Sequence, residues 1–179
     1  VLDDAAGEVP GPLALPVLGG DDGPLLGPGA EPWADELLDV LELHGATGKV
    51  GEVVKHVLGD ATHPVVLLVG LGGANPTDLR RAGAALARAT KDVDTLVSTI
   101  PLVADDDGLR AFVAGVVLGS FEFHWRSGGA KAQPVRRVVL PGADRQPAVD
   151  RAVAIARAGW QARFWCTTPS NLKDPQWLA

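Results

Sequence analysis

Residues 64–70 read Pro-Val-Val-Leu-Leu-Val-Gly, an apolar run without a single polar side chain. A strand with one wet face alternates apolar and polar residues. An unbroken run of this length, bounded by turn signals, is a strand buried on both faces. Such a strand needs a layer of structure on each side, which narrows the fold more than any other stretch of the chain. The neighbouring residues agree. Gly70-Leu71-Gly72-Gly73-Ala74 turns the chain, and Asn75-Pro76-Thr77-Asp78 supplies an N-cap, a first-position proline and an acidic third position. The helix so opened is predicted to run to about Thr90, with Leu79, Ala82, Gly83, Leu86 and Ala89 inward.

The same alternation continues. Val93 to Ile100 is predicted as a second buried strand, ended by Pro101. Asp105-Asp106-Asp107 opens another helix with negative charge at its positive end, continuing towards Phe123. Val135 to Leu140 reads as a third strand, and Ala148 to about Phe164 as a long helix with Val149, Val153, Ile155 or Ala156, and Trp160 inward. Strands alternating with helices predict an α/β fold of three layers, with a mostly parallel sheet flanked by helices.

The two ends read differently. Residues 1–32 are crowded with Gly, Pro and Asp, so they are expected to be surface loops of the same domain, with one short edge strand over Leu13 to Leu18. Trp33 to Leu43 has helical spacing, stopped by Gly45. Val50, Val53, Val54 and Val57 also fall at helical spacing, predicting a short helix to Leu58 that sets Glu52 near His56. Residues 33–164 then form the α/β domain, and 165–179 a connector. Pro169 and Pro175 exclude a continuing helix, whereas Asp174-Pro175-Gln176-Trp177 reads as the first turn of a new one, leading into a further domain.

With 179 residues and 46% hydrophobic composition, the chain can bury one substantial core. Its net charge of −6 argues against a nucleic-acid footprint, which needs a basic face. One cysteine, Cys166, excludes an internal disulfide and a cysteine zinc site. No apolar run approaches the roughly 20 residues of a membrane span, and no signal peptide is visible. A cytoplasmic setting is expected.

The residues that could carry chemistry are few. The turn Gly70 to Asn75 could cradle a phosphate on free N–H groups at a helix N-terminus. The dinucleotide fingerprint wants glycine where Asn75 stands, and no Gly-Lys-Ser/Thr comes after it, so a tight strand-to-helix turn is the preferred reading. His44, His56, His63 and His124 show neither His-x-x-x-His nor His-Glu-x-x-His spacing and are expected to be structural or solvated. Asp105-Asp106-Asp107 and Asp21-Asp22 lack calcium-loop spacing and suit a helix cap and a turn. Cys166 has no His or Asn pattern around it, and Ser98, Ser120, Ser127 and Ser170 sit in no Gly-x-Ser-x-Gly elbow. No catalytic, cofactor-binding or metal-ligating residue is therefore assigned in this chain.

Three segments together resemble the N-terminal domain of the leucyl aminopeptidase (cytosol aminopeptidase) family. Val65-Val-Leu-Leu-Val-Gly-Leu-Gly-Gly73 with Leu79-Arg80-Arg81-Ala82-Gly83-Ala84-Ala85 is similar to the family's strand ending in Val-Gly-Leu-Gly and its Leu-Arg-x-Ala-Gly-Ala helix. Gly115 to Ser127 resembles its Gly-x-x-Leu-x-x-Tyr-x-Phe-x-x-Tyr-Lys-Ser stretch, with Phe121 and Trp125 where tyrosines are usual. Ala158 to Ala179 resembles its interdomain segment, with Thr167 in place of the Asn of Asn-Thr-Pro.

The resemblance implies a macro-domain-like fold and a parent protein that is a cytoplasmic metallo-aminopeptidase. Two divalent metals, zinc or manganese, are implied in a C-terminal catalytic domain of the same protein, along with peptide substrates and a homo-hexamer. The family's metal ligands surround an Asn-Thr-Asp-Ala-Glu-Gly-Arg motif that this sequence does not contain, so the chain alone is expected to be inactive. The alternative is a macro-like module binding ADP-ribose or another phosphate ligand at Gly70–Asn75.

Overall fold

The computed structural model describes residues 9–20, 23–123, 131–142, 145–173 and 175–178. The apolar run forms β4 (Val65–Gly70), and the helix behind its glycine turn is α2 (Pro76–Ala89). Four further units come next in alternation: β5 (Thr95–Ser98), α3 (Asp106–Gly119), β6 (Arg137–Val139) and α4 (Gln146–Thr167). Ahead of them stand β1 (Leu13–Gly20), β2 (Gly23–Leu26), α1 (Ala34–Leu43) and β3 (Val53–Val57), and α5 (Pro175–Leu178) comes last.

The sheet runs β3-β4-β1-β5-β6, with β2 added on β1. The pairs β4–β1, β1–β5 and β5–β6 are parallel, and β3–β4 and β1–β2 are antiparallel. Side chains alternate across it as the pleat requires. Leu13, Leu15, Val17, Val66 and Leu68 pack with Leu37, Val40 and Leu41 of α1 on one face. Ala14, Leu67 and Val69 pack with α2, α3 and α4 on the other. The three-layer architecture predicted from β4 is what forms.

Three expectations need correction. The strand at Leu13 to Leu18 lies not at an edge but at the centre of the sheet, between β4 and β5, with Ala14 and Leu15 fully buried. Regular structure also extends into the Gly-rich stretch, as β2. A central proline is normally excluded because it cannot donate to the ladder. Pro16 is tolerated because its carbonyl, and so its missing N–H, faces the gap where β5 gives way to β2; Gly27 N–H donates to that carbonyl at 2.9 Å.

The second correction is the stretch Val50 to Leu58, which forms strand β3 rather than a helix, with Val54 and Leu58 buried and Lys55 and Val57 outward. Four valines in eight residues suit a pleated, half-buried surface better than a helix. Glu52 consequently does not meet His56. The third concerns a helix face: on α2 Ala87 is buried and Ala89 exposed. On α4, of the two alternatives, Ala156 turns inward and Ile155 is exposed.

Candidate functional site

In open parallel sheets a ligand crevice opens beyond the carboxyl ends of two strands whose connections leave in opposite directions. Here those strands are β1, which leads through α1 to β4, and β5, which leads through α3 on the other face to β6. The chain fills this place itself. β2 pairs with the end of β1 from Val17↔Leu26 to Gly20↔Gly23. Thr99 Oγ1 donates to the Pro28 carbonyl at 2.6 Å. Gly29 lies so close that a Cβ there would stand 2.9 Å from the Thr99 methyl and 3.2 Å from Leu15.

The turn after β4 is equally occupied. Gly70 N–H donates to Glu52 O at 2.8 Å, Leu71 to Val17 O at 2.8 Å, Gly72 to Gly48 O at 2.9 Å and Ala74 to Leu71 O at 3.0 Å. The first N–H groups of α2, from Thr77 and Asp78, go to Asn75 Oδ1 at 3.0 and 3.1 Å. Asn75 Nδ2 in turn donates to Asp78 Oδ2 at 2.6 Å. A phosphate here would have to displace these bonds and face the Asp78 carboxylate. The glycine at position 70 serves packing: a Cβ would lie 2.1 Å from the Lys49 carbonyl oxygen.

The remaining candidates do not converge. His63 is buried, with Nδ1 2.9 Å from Gly11 O and its N–H donating to Asp60 at 2.7 Å. His56 Nε2 lies 2.8 Å from Glu36 Oε1, tying β3 to α1, while Glu52 receives the N–H groups of Thr47 and Gly48 at 3.0 Å each. His44 is exposed. Asp105 caps α3 by accepting from Gly108 N–H at 2.8 Å, Asp106 pairs with Arg145, and Asp107 pairs with Arg110. Ser98 is buried at the end of β5, Ser120 Oγ donates to Val117 O at 2.8 Å, and Ser170 and Cys166 are exposed. Asp21, Asp22, His124, Trp125, Ser127 and Asp174 lie outside the described residues. Among the described residues no three of His, Cys, Asp or Glu stand together as a metal site. No helix among them is long and apolar enough to cross a membrane.

Arg145 went unnoticed in the sequence. Its guanidinium donates to the carbonyls of Pro101 and Ala104, both at 2.8 Å, clasping the start of α4 to the start of α3. Nothing local marks it, since both partners lie more than forty residues away.

The closing segment is ordered as an exit. α4 ends at Thr167, and the buried Thr168 turns its hydroxyl back to Phe164 O at 2.9 Å. Trp160 packs edge-on to Phe121 at 5.1 Å between centroids and stacks on Phe164 at 6.0 Å, while Arg163 sits 4.5 Å over Phe121. The outer side of the helix keeps Ile155 63% exposed and Trp165 50% exposed.

Residues 17–125 match the family described as "Cytosol aminopeptidase family, N-terminal domain". Among curated proteins, one named a probable cytosol aminopeptidase in Streptomyces coelicolor is 32% identical over 93% of this chain and 38% of its own length. A namesake in Streptomyces avermitilis is 34% identical, over 89% of this chain and 36% of its own. The chain thus spans little more than a third of the length of these relatives. Among solved structures, the bottromycin maturation enzyme BotP is 26% identical with a TM-score of 0.71, covering 95% of this chain and 35% of that one. A tomato leucine aminopeptidase mutant, 20% identical, shares the fold with a TM-score of 0.74, over 99% of this chain and 39% of its own.

Proposed function

The chain belongs to the cytosol aminopeptidase family, as its N-terminal domain, and from that premise we propose that it is the non-catalytic part of a larger leucyl-type metallo-aminopeptidase. The observation that carries this is the family match combined with a carboxyl edge filled by the chain's own β1–β2 hairpin. The described residues offer no donor set for the two divalent metals, zinc or manganese, that such a peptidase uses. Those metals, when bound in the C-terminal catalytic domain, supply an activated water for attack on the peptide carbonyl. The parent protein removes N-terminal residues from peptides in the cytoplasm. The partners of this domain are the catalytic domain that succeeds it and, in a homo-hexamer, further copies of the protein. Its part there is in assembly or in access to the active site.

The reading is tested by assaying leucine p-nitroanilide with the purified chain, and with the longer protein, in the presence of Mn²⁺ or Zn²⁺. Metal-dependent release of nitroaniline is expected from the longer protein alone. Metal-dependent turnover by the pure 179-residue chain would sink the claim that it is non-catalytic. No turnover by the longer protein would sink the peptidase assignment.

A further inference from the structure

α4 meets the core with small side chains: its fully buried residues are Ala152 and Ala156. Small inward residues hold a helix on its neighbours without filling the space beneath it. Between α3, α4 and β6 that space is a cavity of about 300 Å³, open to solvent on one side. Its interior is apolar, with Phe112 and Val116 from α3, Val138 from β6 and Val153 from α4.

The charge on its lining has one sign. Arg136 and Arg157, both exposed, line the cavity, and no Asp or Glu does. This is unusual in a chain carrying −6 overall. Arg136 reaches Asp94 only at 3.5 Å, between side chains that are 80% and 78% exposed, a pairing of little strength in water. Arg157 has no ion-pair partner among the described residues. An apolar chamber with two exposed arginines in its lining is complementary to a molecule with a hydrocarbon tail and an anionic head. The planar fork of arginine matches a carboxylate, taking both oxygens at once. The volume sits at the small end of ligand pockets, roughly 300–1,000 Å³, so the tail is short.

We propose that this cavity binds a small aliphatic carboxylate, its hydrocarbon among Phe112, Val116, Val138 and Val153 and its carboxylate on Arg157 and Arg136. Filling an apolar cavity restores contacts the lining lacks, so the ligand also stabilises the fold.

The probe is octanoate, with octanamide as its uncharged counterpart, titrated into the ¹⁵N-labelled chain. Octanoate is expected to shift the amides of Val116, Val138 and Val153 saturably and to raise the melting temperature. Octanamide should bind about tenfold more weakly or worse, and Arg157→Gln should weaken octanoate by a similar factor while leaving the unliganded melting temperature unchanged. No saturable shift with octanoate up to about 1 mM overturns the proposal. So does equal binding of octanoate and octanamide, since the arginines would then contribute nothing. A Val116→Phe variant, which fills the chamber, must abolish binding if it folds; should it not fold, the Arg157→Gln comparison still decides.

Discussion

Asn75 stands where the buried strand becomes a helix, and a single side chain settles that junction. Its Oδ1 accepts from Thr77 and Asp78 N–H, and its Nδ2 donates to the Asp78 carboxylate. Pro76 has no N–H, so three orphan N–H groups are left at the start of α2, and two of them are satisfied this way. Asn75→Ala is expected to cost about 1 kcal/mol, within the 0.5–2 kcal/mol range of lost N-caps. Asn75→Ser should recover most of it, because the serine oxygen still reaches the same donors. Urea unfolding checks this, read as a fall in midpoint at unchanged slope. An unchanged midpoint for the alanine variant would mean water replaces the cap at no cost. This residue was legible in the sequence because capping is local, and so was Asp105. The polar contacts that span the fold were not: His56 to Glu36 crosses twenty residues, and Arg145 to Pro101 crosses forty-four. No spacing rule reaches across such distances, since only the folded sheet brings the partners together.

At the scale of elements, the tightest joint is between α2 and α3. A Cβ on Gly115 would lie 2.1 Å from the Arg80 carbonyl oxygen, and one on Gly83 would lie 2.4 Å from that of Phe112. Both obstacles are backbone, which cannot rotate aside, so any side chain at Gly115 pushes the helices apart. Gly115→Ala is expected to destabilise by about 1–3 kcal/mol despite the better helix propensity of alanine. Gly159 is the internal control. It lies in α4, and its nearest neighbour to an added Cβ is Leu118 Cδ2 at 3.5 Å. Gly159→Ala should stabilise by up to about 1 kcal/mol. Thermal melts of the two variants are expected to move in opposite directions; a shift of the same sign would put the effect down to propensity or crowding alone. Elements of strong periodicity were legible: α2, α3, α4, β4 and β5 form where the pattern places them, give or take a few residues. The misreadings share a physical origin. β1 carries Pro16 and is flanked by glycines, and its burial comes from neighbours distant in sequence. The valines in and before β3 fall at helical spacing, and it is the pairing with β4 that makes the stretch a strand.

Across the whole molecule, the sheet is covered on both faces and its switch point is closed, yet the far helix leaves apolar surface in water. Ile155, Ala158, Ala162 and Trp165 recur along α4 at intervals of three, four and three, and all are exposed. That spacing makes one stripe on a helix, and a stripe ending in a half-exposed tryptophan is the mark of a surface that meets another. If the domain takes the proposed place in a longer peptidase, the stripe is expected to be covered by the catalytic domain. The sequence already hinted at the junction through the prolines after α4, but the exposed face required the structure, because inward and outward positions on this alanine-rich helix differ little in hydropathy. The difference in fluorescence between the protein and its Trp165→Phe variant isolates this one of the five tryptophans. In the isolated chain the Trp165 component is expected to emit as a water-exposed indole and to be quenched readily by acrylamide. In the longer protein it should shift to the blue and lose most of its quenching. If the Trp165 component is quenched equally in both, the stripe is not covered by the catalytic domain. Closure against a second copy would then be read from a concentration dependence of the same signal.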